Sequence, residues 1–148
     1  MAIISNGTTI ANAGAFSVNL GSMVLIKSLT ASSSANLSFV NGASSVVLDS
    51  TYPIYLFKYI RMHPASNEVD FSVNFRDGST AYDATKTSAA FAANVDESGG
   101  NTSLFYWGSR DLAQSTSSQK IASAIGNGSD ECASGELYLF NPSSTTFV

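Results

Sequence analysis

The sequence predicts an all-β protein: an antiparallel sandwich of jelly-roll type, with at most two short helices. Three observations predict it. The run EVDFSVNFRD at 68–77 alternates without a break, Val69, Phe71, Val73 and Phe75 on one face and Glu68, Asp70, Ser72, Asn74 and Arg76 on the other, the period-2 signature of a half-buried strand. Short β-forming runs recur every 8 to 15 residues with Gly, Asn, Asp and Ser between them, as in sandwiches and jelly rolls. Finally, 26 Ser and 11 Thr stand where charged residues usually do, the charged share being 12%, roughly half the common value. With 44% hydrophobic residues the chain has enough apolar surface to escape disorder.

Taken in chain order, residues 1–20 mix Gly, Asn, Thr and small apolar residues without periodicity and read as an N-terminal arm that orders on assembly. Residues 21–148 then form one sandwich domain. Strands are expected at 23–29 (MVLIKSL), 36–40 (NLSFV) and 45–48 (SVVL), with Asn41-Gly42 as a hairpin turn between the last two, because Gly accepts the positive φ such turns demand. The run YPIYLFKYIRM at 52–62 is apolar on both faces, Ile54, Leu56, Ile60 and Met62 alternating with Tyr55, Phe57, Tyr59 and Arg61. Such a strand is either central or covered on its aromatic face by another chain. His63-Pro64 to Asn67 is expected to connect it as a hairpin to 68–77, which ends at the turn signal Asp77-Gly78. Residues 82–95 suit helix or strand, 104–107 (LFYW) and 136–140 (ELYLF) suit strands, and 118–125 suits a short helix with Ile121 and Ile125 on one face. No linker or composition break divides the chain.

Composition narrows the function. A net charge of −4, with seven scattered Lys and Arg, offers no basic patch to neutralise phosphates, so nucleic acid is a poor partner. The first cation is Lys27 and the longest apolar run is 89–93, which gives neither a secretory n-region nor a membrane span. Cys132 is the single cysteine and His63 the single histidine, which disfavours chemistry that relies on Cys or His clusters.

Each candidate site has a plainer reading beside it. Glu68 and Asp70 stand as in jelly-roll glycosidases, whose paired carboxylates share a strand face, and they define the enzymatic alternative: a carbohydrate-active enzyme. The third acid of that pattern is missing, Ser72 and Val73 occupying its places, so a solvated strand face fits better. Asp77 to Asp83 lacks calcium-loop spacing, with Ala81 and Tyr82 where a ligand and a Gly belong. His63 has no nucleophile elbow to serve, and Cys132, beside Asp130 and Glu131, is a poor thiolate. No metal or cofactor is expected. The cluster Phe105-Tyr106-Trp107 after the loop at 98–103 suits sugar stacking or a protein interface, though a core strand with alternate rings buried is favoured. Four Asn-x-Ser/Thr sequons, at Asn6, Asn36, Asn101 and Asn127, are what a chain this rich in hydroxyls gives by chance.

Three phrases go beyond generic β character: LIKSLTASSSANLSFV at 25–40, VNFRDGSTAYDATKT at 73–87 and LYLFNPSSTTFV at 137–148. Together they resemble a family of small β-rich virion proteins of tailed bacteriophages that infect marine bacteria, over most of the chain from Leu25 onward. The resemblance implies a jelly-roll-like structural protein, assembled in the host cytoplasm onto the virion, with no catalytic residues, and it favours strand for 82–95. Its partners would be copies of itself, trimeric in a fibre, and a major capsid or tail protein. The leading expectation is a capsid decoration or cement protein. The alternative in the same class is a tail or fibre protein that touches host glycan through Tyr106 and Trp107. Related chains continue past SSTTFV, whereas this one stops at Val148; either it is shortened, or a neighbouring subunit closes the edge carrying Phe147 and Val148, since open apolar edges invite pairing. Tyr55, Phe57 and Tyr59, and a first 48 residues whose single charge is Lys27, likewise suit burial against other chains.

Overall fold

The computed structural model describes residues 2–5, 8–12, 15–16 and 23–144. The fold is all-β and antiparallel, and among the described residues its only helical element is a 3-10 turn, Gly108–Arg110. Eleven strands follow in order: β1 (Ala2–Ser5), β2 (Thr8–Asn12), β3 (Ala15–Phe16), β4 (Ile54–Met62), β5 (Val69–Val73), β6 (Lys86–Ser88), β7 (Phe91–Val95), β8 (Thr102–Tyr106), β9 (Leu112–Ser115), β10 (Gln119–Ile125) and β11 (Ala133–Phe140). They pair as one three-stranded sheet, β1-β2-β3, and four two-stranded ladders: β5 with β10, β4 with β11, β6 with β9 and β7 with β8.

Contacts divide the chain into two units, residues 1–57 with 138–148, and residues 58–137. In the first unit, residues expected to be an irregular arm carry β1, β2 and β3. Segments 23–29, 36–40 and 45–48, expected as strands, form no ladder. The Asn41-Gly42 turn does form: Gly42 adopts φ +78°, its N–H donates to Val46 O at 2.9 Å, and the Asn41 side chain accepts from Leu48 N–H at 2.9 Å. Val46 and Tyr55 are the buried hydrophobics of this unit among the described residues. Phe39 packs edge-on against Phe57, ring centres 5.4 Å apart.

In the second unit the expected alternation of 68–77 is present over β5, whose Val69, Phe71 and Val73 are half-buried while Asp70 and Ser72 are exposed. The expected β4–β5 hairpin is not: β5 pairs with β10 and β4 with β11. The two strands meet instead through side chains, Tyr59 of β4 lying edge-on to Phe71 of β5 at 4.9 Å. The short helix expected at 118–125 is also overturned. That segment is β10, pairing Gln119 with Val73, Ala122 with Phe71 and Ile125 with Val69. Two register shifts along it move side chains between faces, so the four-residue interval from Ile121 to Ile125 mimics a helical repeat. Ile121 is exposed and Ile125 buried, which a shared helix face would not allow. Within 82–95 the regular structure is strand, β6 and β7, and 104–107 and 136–140 fall in or beside β8 and β11. No helix among the described residues is long and apolar enough to cross a membrane.

Candidate interaction surface

β7 and β8 form a ribbon in continuous register, Phe91 opposite Tyr106, Ala93 opposite Leu104 and Val95 opposite Thr102. Because residues directly opposite share a face, Phe91, Ala93, Val95, Leu104 and Tyr106 line one side. That side is open: Phe91 is 73% exposed, Val95 68%, Leu104 80% and Tyr106 58%. For Phe105-Tyr106-Trp107 the sequence favoured a core strand with alternate rings buried; instead all of β8 is exposed and only Trp107, just beyond it, is half-buried, because no second layer covers the strand among the described residues. A shallow depression of about 430 Å³ runs along it over Ala93, Asn94, Val95, Thr102, Ser103 and Leu104.

Both ends of the ribbon are fixed. At the tip, the Asp96 carboxylate accepts from Gly100 N–H at 2.9 Å, Asn101 Nδ2 at 2.6 Å and Ser98 Oγ at 2.8 Å. The Asn101 side chain, then Ser98, hold its pKa below the usual carboxylate value, since hydrogen bonds to the ionised form favour it. At the base, Trp107 N–H donates to Ala90 O at 2.8 Å, while Asp111 accepts from Ala90 N–H at 2.9 Å and from the Tyr106 hydroxyl. A surface held this way loses little entropy when a partner covers it.

Trp107, half-buried, lies under the Arg110 guanidinium at 4.9 Å and edge-on to Phe105 at 5.7 Å. Arg110 in turn reaches Asp70 at 3.2 Å, and Lys120 reaches the same carboxylate at 2.6 Å. Asp70 is thereby held at a pKa of about 2, by the Lys120 hydrogen bond first, with smaller help from Ser123, Ala124 and Arg110. Glu68 sits outside β5 in a turn at φ +56°, so the two acids are not successive members of one strand face. The gap beside the Tyr59 and Phe71 rings, about 100 Å³ and lined by these two with Met62 and Ile121 among others, is well below the volume of a ligand pocket.

The remaining sequence candidates scatter. Tyr55 is 4% exposed, turned inward with its hydroxyl donating to Asp49 O at 2.8 Å and accepting from Asp49 N–H at 3.1 Å. Phe57 and Tyr59 are half-buried against Phe39 and Phe71, so all three rings of this strand pack within their own units. Phe147 and Val148 lie outside the described residues. His63 contacts Gly128 O through Nε2 at 2.9 Å, Cys132 is exposed, and among the described residues no three metal-ligating side chains gather. Sequence reasoning missed Phe91, Val95 and Leu104; the available signal was the Gly-Gly pair at 99–100 between two β-forming runs. Comparison with protein-family models, with curated proteins and with solved structures finds no match in any of the three.

Proposed function

We propose that this chain is a non-enzymatic structural protein of a tailed-phage virion, a decoration or cement protein on the capsid. The observation that supports an assembly role is the open apolar face of the β7–β8 ribbon, fixed at both ends and uncovered. Exposed apolar area of this extent marks an interaction surface in proteins that do not aggregate. A low charge share, 12%, leaves little repulsion to overcome when many copies pack together. The phage setting rests on the three sequence phrases alone. Against the carbohydrate-active alternative stand the ion pairs that occupy Asp70 and the turn that takes Glu68 off the strand.

A second reading has one observation in its favour: Tyr106, 58% exposed, stands beside Phe91 with ring centres 5.4 Å apart, an open aromatic pair on which a sugar ring can stack. It makes the chain a tail or fibre protein that touches host glycan. The mass ratio of this chain to the major shell protein in purified particles separates the two. A simple fraction of the shell count supports decoration, a few copies per particle supports the tail, and absence from particles sinks both.

A further inference from the structure

The first unit holds a segment whose backbone has no backbone partner among the described residues. Residues 23–31 run without turn or bend, and among the described residues no backbone N–H or C=O from 23 to 39 bonds to another backbone group. Yet 23–29 (MVLIKSL) is strand-forming sequence, with Met23 69% and Leu25 83% exposed on one side of it. Backbone polar groups are obligatory hydrogen-bonding groups, and extended chain satisfies them best by joining a sheet.

The same chain presents the complementary deficit. Among the described residues its four ladders have only two strands each, a size that is marginal in isolation, and each leaves open edges. The edges are not equivalent. The β5–β10 and β6–β9 ladders carry register shifts, which disturb the spacing of edge groups, whereas β7–β8 runs through five pairs without one. That regular edge borders the open apolar face. Phe91, Val95, Leu104 and Tyr106 together present on the order of 500 Å² of side-chain surface. An added strand extends the ribbon in its own plane, where Met23 and Leu25, both exposed, continue that apolar row beside its edge. Charge does not oppose self-association: Lys27 is the single charged residue of 23–29, and 91–95 with 102–106 holds none.

We propose that residues 23–29 of one copy add as a strand to the β7–β8 ribbon of a second copy, so that the chain is a homo-oligomer by strand addition. This stands independently of the virion reading, since it follows from backbone pairing alone.

Light scattering on the purified full chain, with amide hydrogen exchange, tests it. The expected mass is a multiple of 15.5 kDa, with the amides of 24–29 protected. Leu25→Pro removes a donor that makes no bond among the described residues, so it should reduce the mass to that of one copy. Leu104→Lys, on the acceptor face, should do the same. A wild-type mass of one copy overturns the proposal. So does an oligomer in which the amides of 24–29 exchange freely, or one that Leu25→Pro leaves intact. Loss of the oligomer with Leu25→Pro but not with Leu104→Lys overturns the ribbon as acceptor. Abundance on particles with a monomeric mass in solution would leave the virion reading standing and this one refuted.

Discussion

Replacing Tyr55 by phenylalanine removes one oxygen atom and strands three backbone groups. The Tyr55 hydroxyl donates to Asp49 O at 2.8 Å and accepts from Asp49 N–H at 3.1 Å and from Tyr52 N–H at 3.4 Å. The last is near the limit of a useful bond and adds little. The first two are each worth about 1 kcal/mol net, and the ring stays in place, so Tyr55→Phe should cost about 2 kcal/mol. For a chain of this length that lowers the thermal midpoint by about 4–8 °C and the urea midpoint by about 1 M. The assay is urea unfolding followed by circular dichroism at one fixed protein concentration, because association contributes to apparent stability. Tyr82→Phe is the control: its ring sits 5.6 Å from the Arg76 guanidinium, a contact phenylalanine keeps, so it should shift stability by less than about 0.5 kcal/mol. A Tyr55→Phe midpoint within about 0.2 M of wild type, at unchanged slope, would refute the inward assignment of Tyr55. Loss of association with unchanged stability would return that residue to a partner-facing role.

Asp70 makes the chain acid-sensitive over a defined window. Its folded pKa lies at about 2 against an ordinary value of 3.8, so its ion pairs stabilise fully above about pH 4 and are lost as pH falls toward 2. Asp70→Asn should therefore be less stable than wild type at pH 7 and should converge with it near pH 2 in acid-unfolding curves. Gly42 holds φ +78°, and a Cβ there would meet nothing within 4 Å, so Gly42→Ala carries only backbone strain, about 1 kcal/mol by thermal unfolding, and Gly42→Asn costs less. Trp107 is the chain's single tryptophan, so its fluorescence reads the Arg110 contact directly. Arg110→Ala should shift its emission to longer wavelength as the ring gains water, and an unchanged spectrum would count against the stacked geometry.

What the sequence made legible was local. The alternation of Val69, Phe71 and Val73 against Asp70 and Ser72 needs only the pleat, and it holds. The Asn41-Gly42 turn needs only the permissive φ of glycine, and it also holds. What failed was pairing. Hairpin logic joined β4 to β5 because they are neighbours in sequence, whereas β5 selects β10, about fifty residues away, with Phe71 opposite Ala122. No local signal carries such a partner choice. β10 misled for a second reason: its bulges interrupt period 2, so Ala122 and Ser123 are both half-buried in succession. Among site residues, Tyr106 and Trp107 could be named from residue type, but which rings face out depends on what layer lies above them. That is a tertiary fact, and it reversed the favoured reading of β8.

The two departures from expectation have one physical origin. A buried β8 and paired strands at 23–29 and 36–40 are what a chain with 44% hydrophobic residues does when it completes its own core. Among the described residues this chain instead buries three hydrophobics, Val46, Tyr55 and Ile125, while Leu25, Leu104, Ile60 and Phe91 are each more than two-thirds exposed. Conformational entropy must be offset by burial, and a set of two-stranded ladders supplies little of it. Sequence pattern reports how much apolar surface is to be covered, but not whether the cover comes from the same chain. Here a β-forming segment and a regular ladder edge, each without a partner among the described residues, occur in one molecule, so a second copy can meet both needs at once.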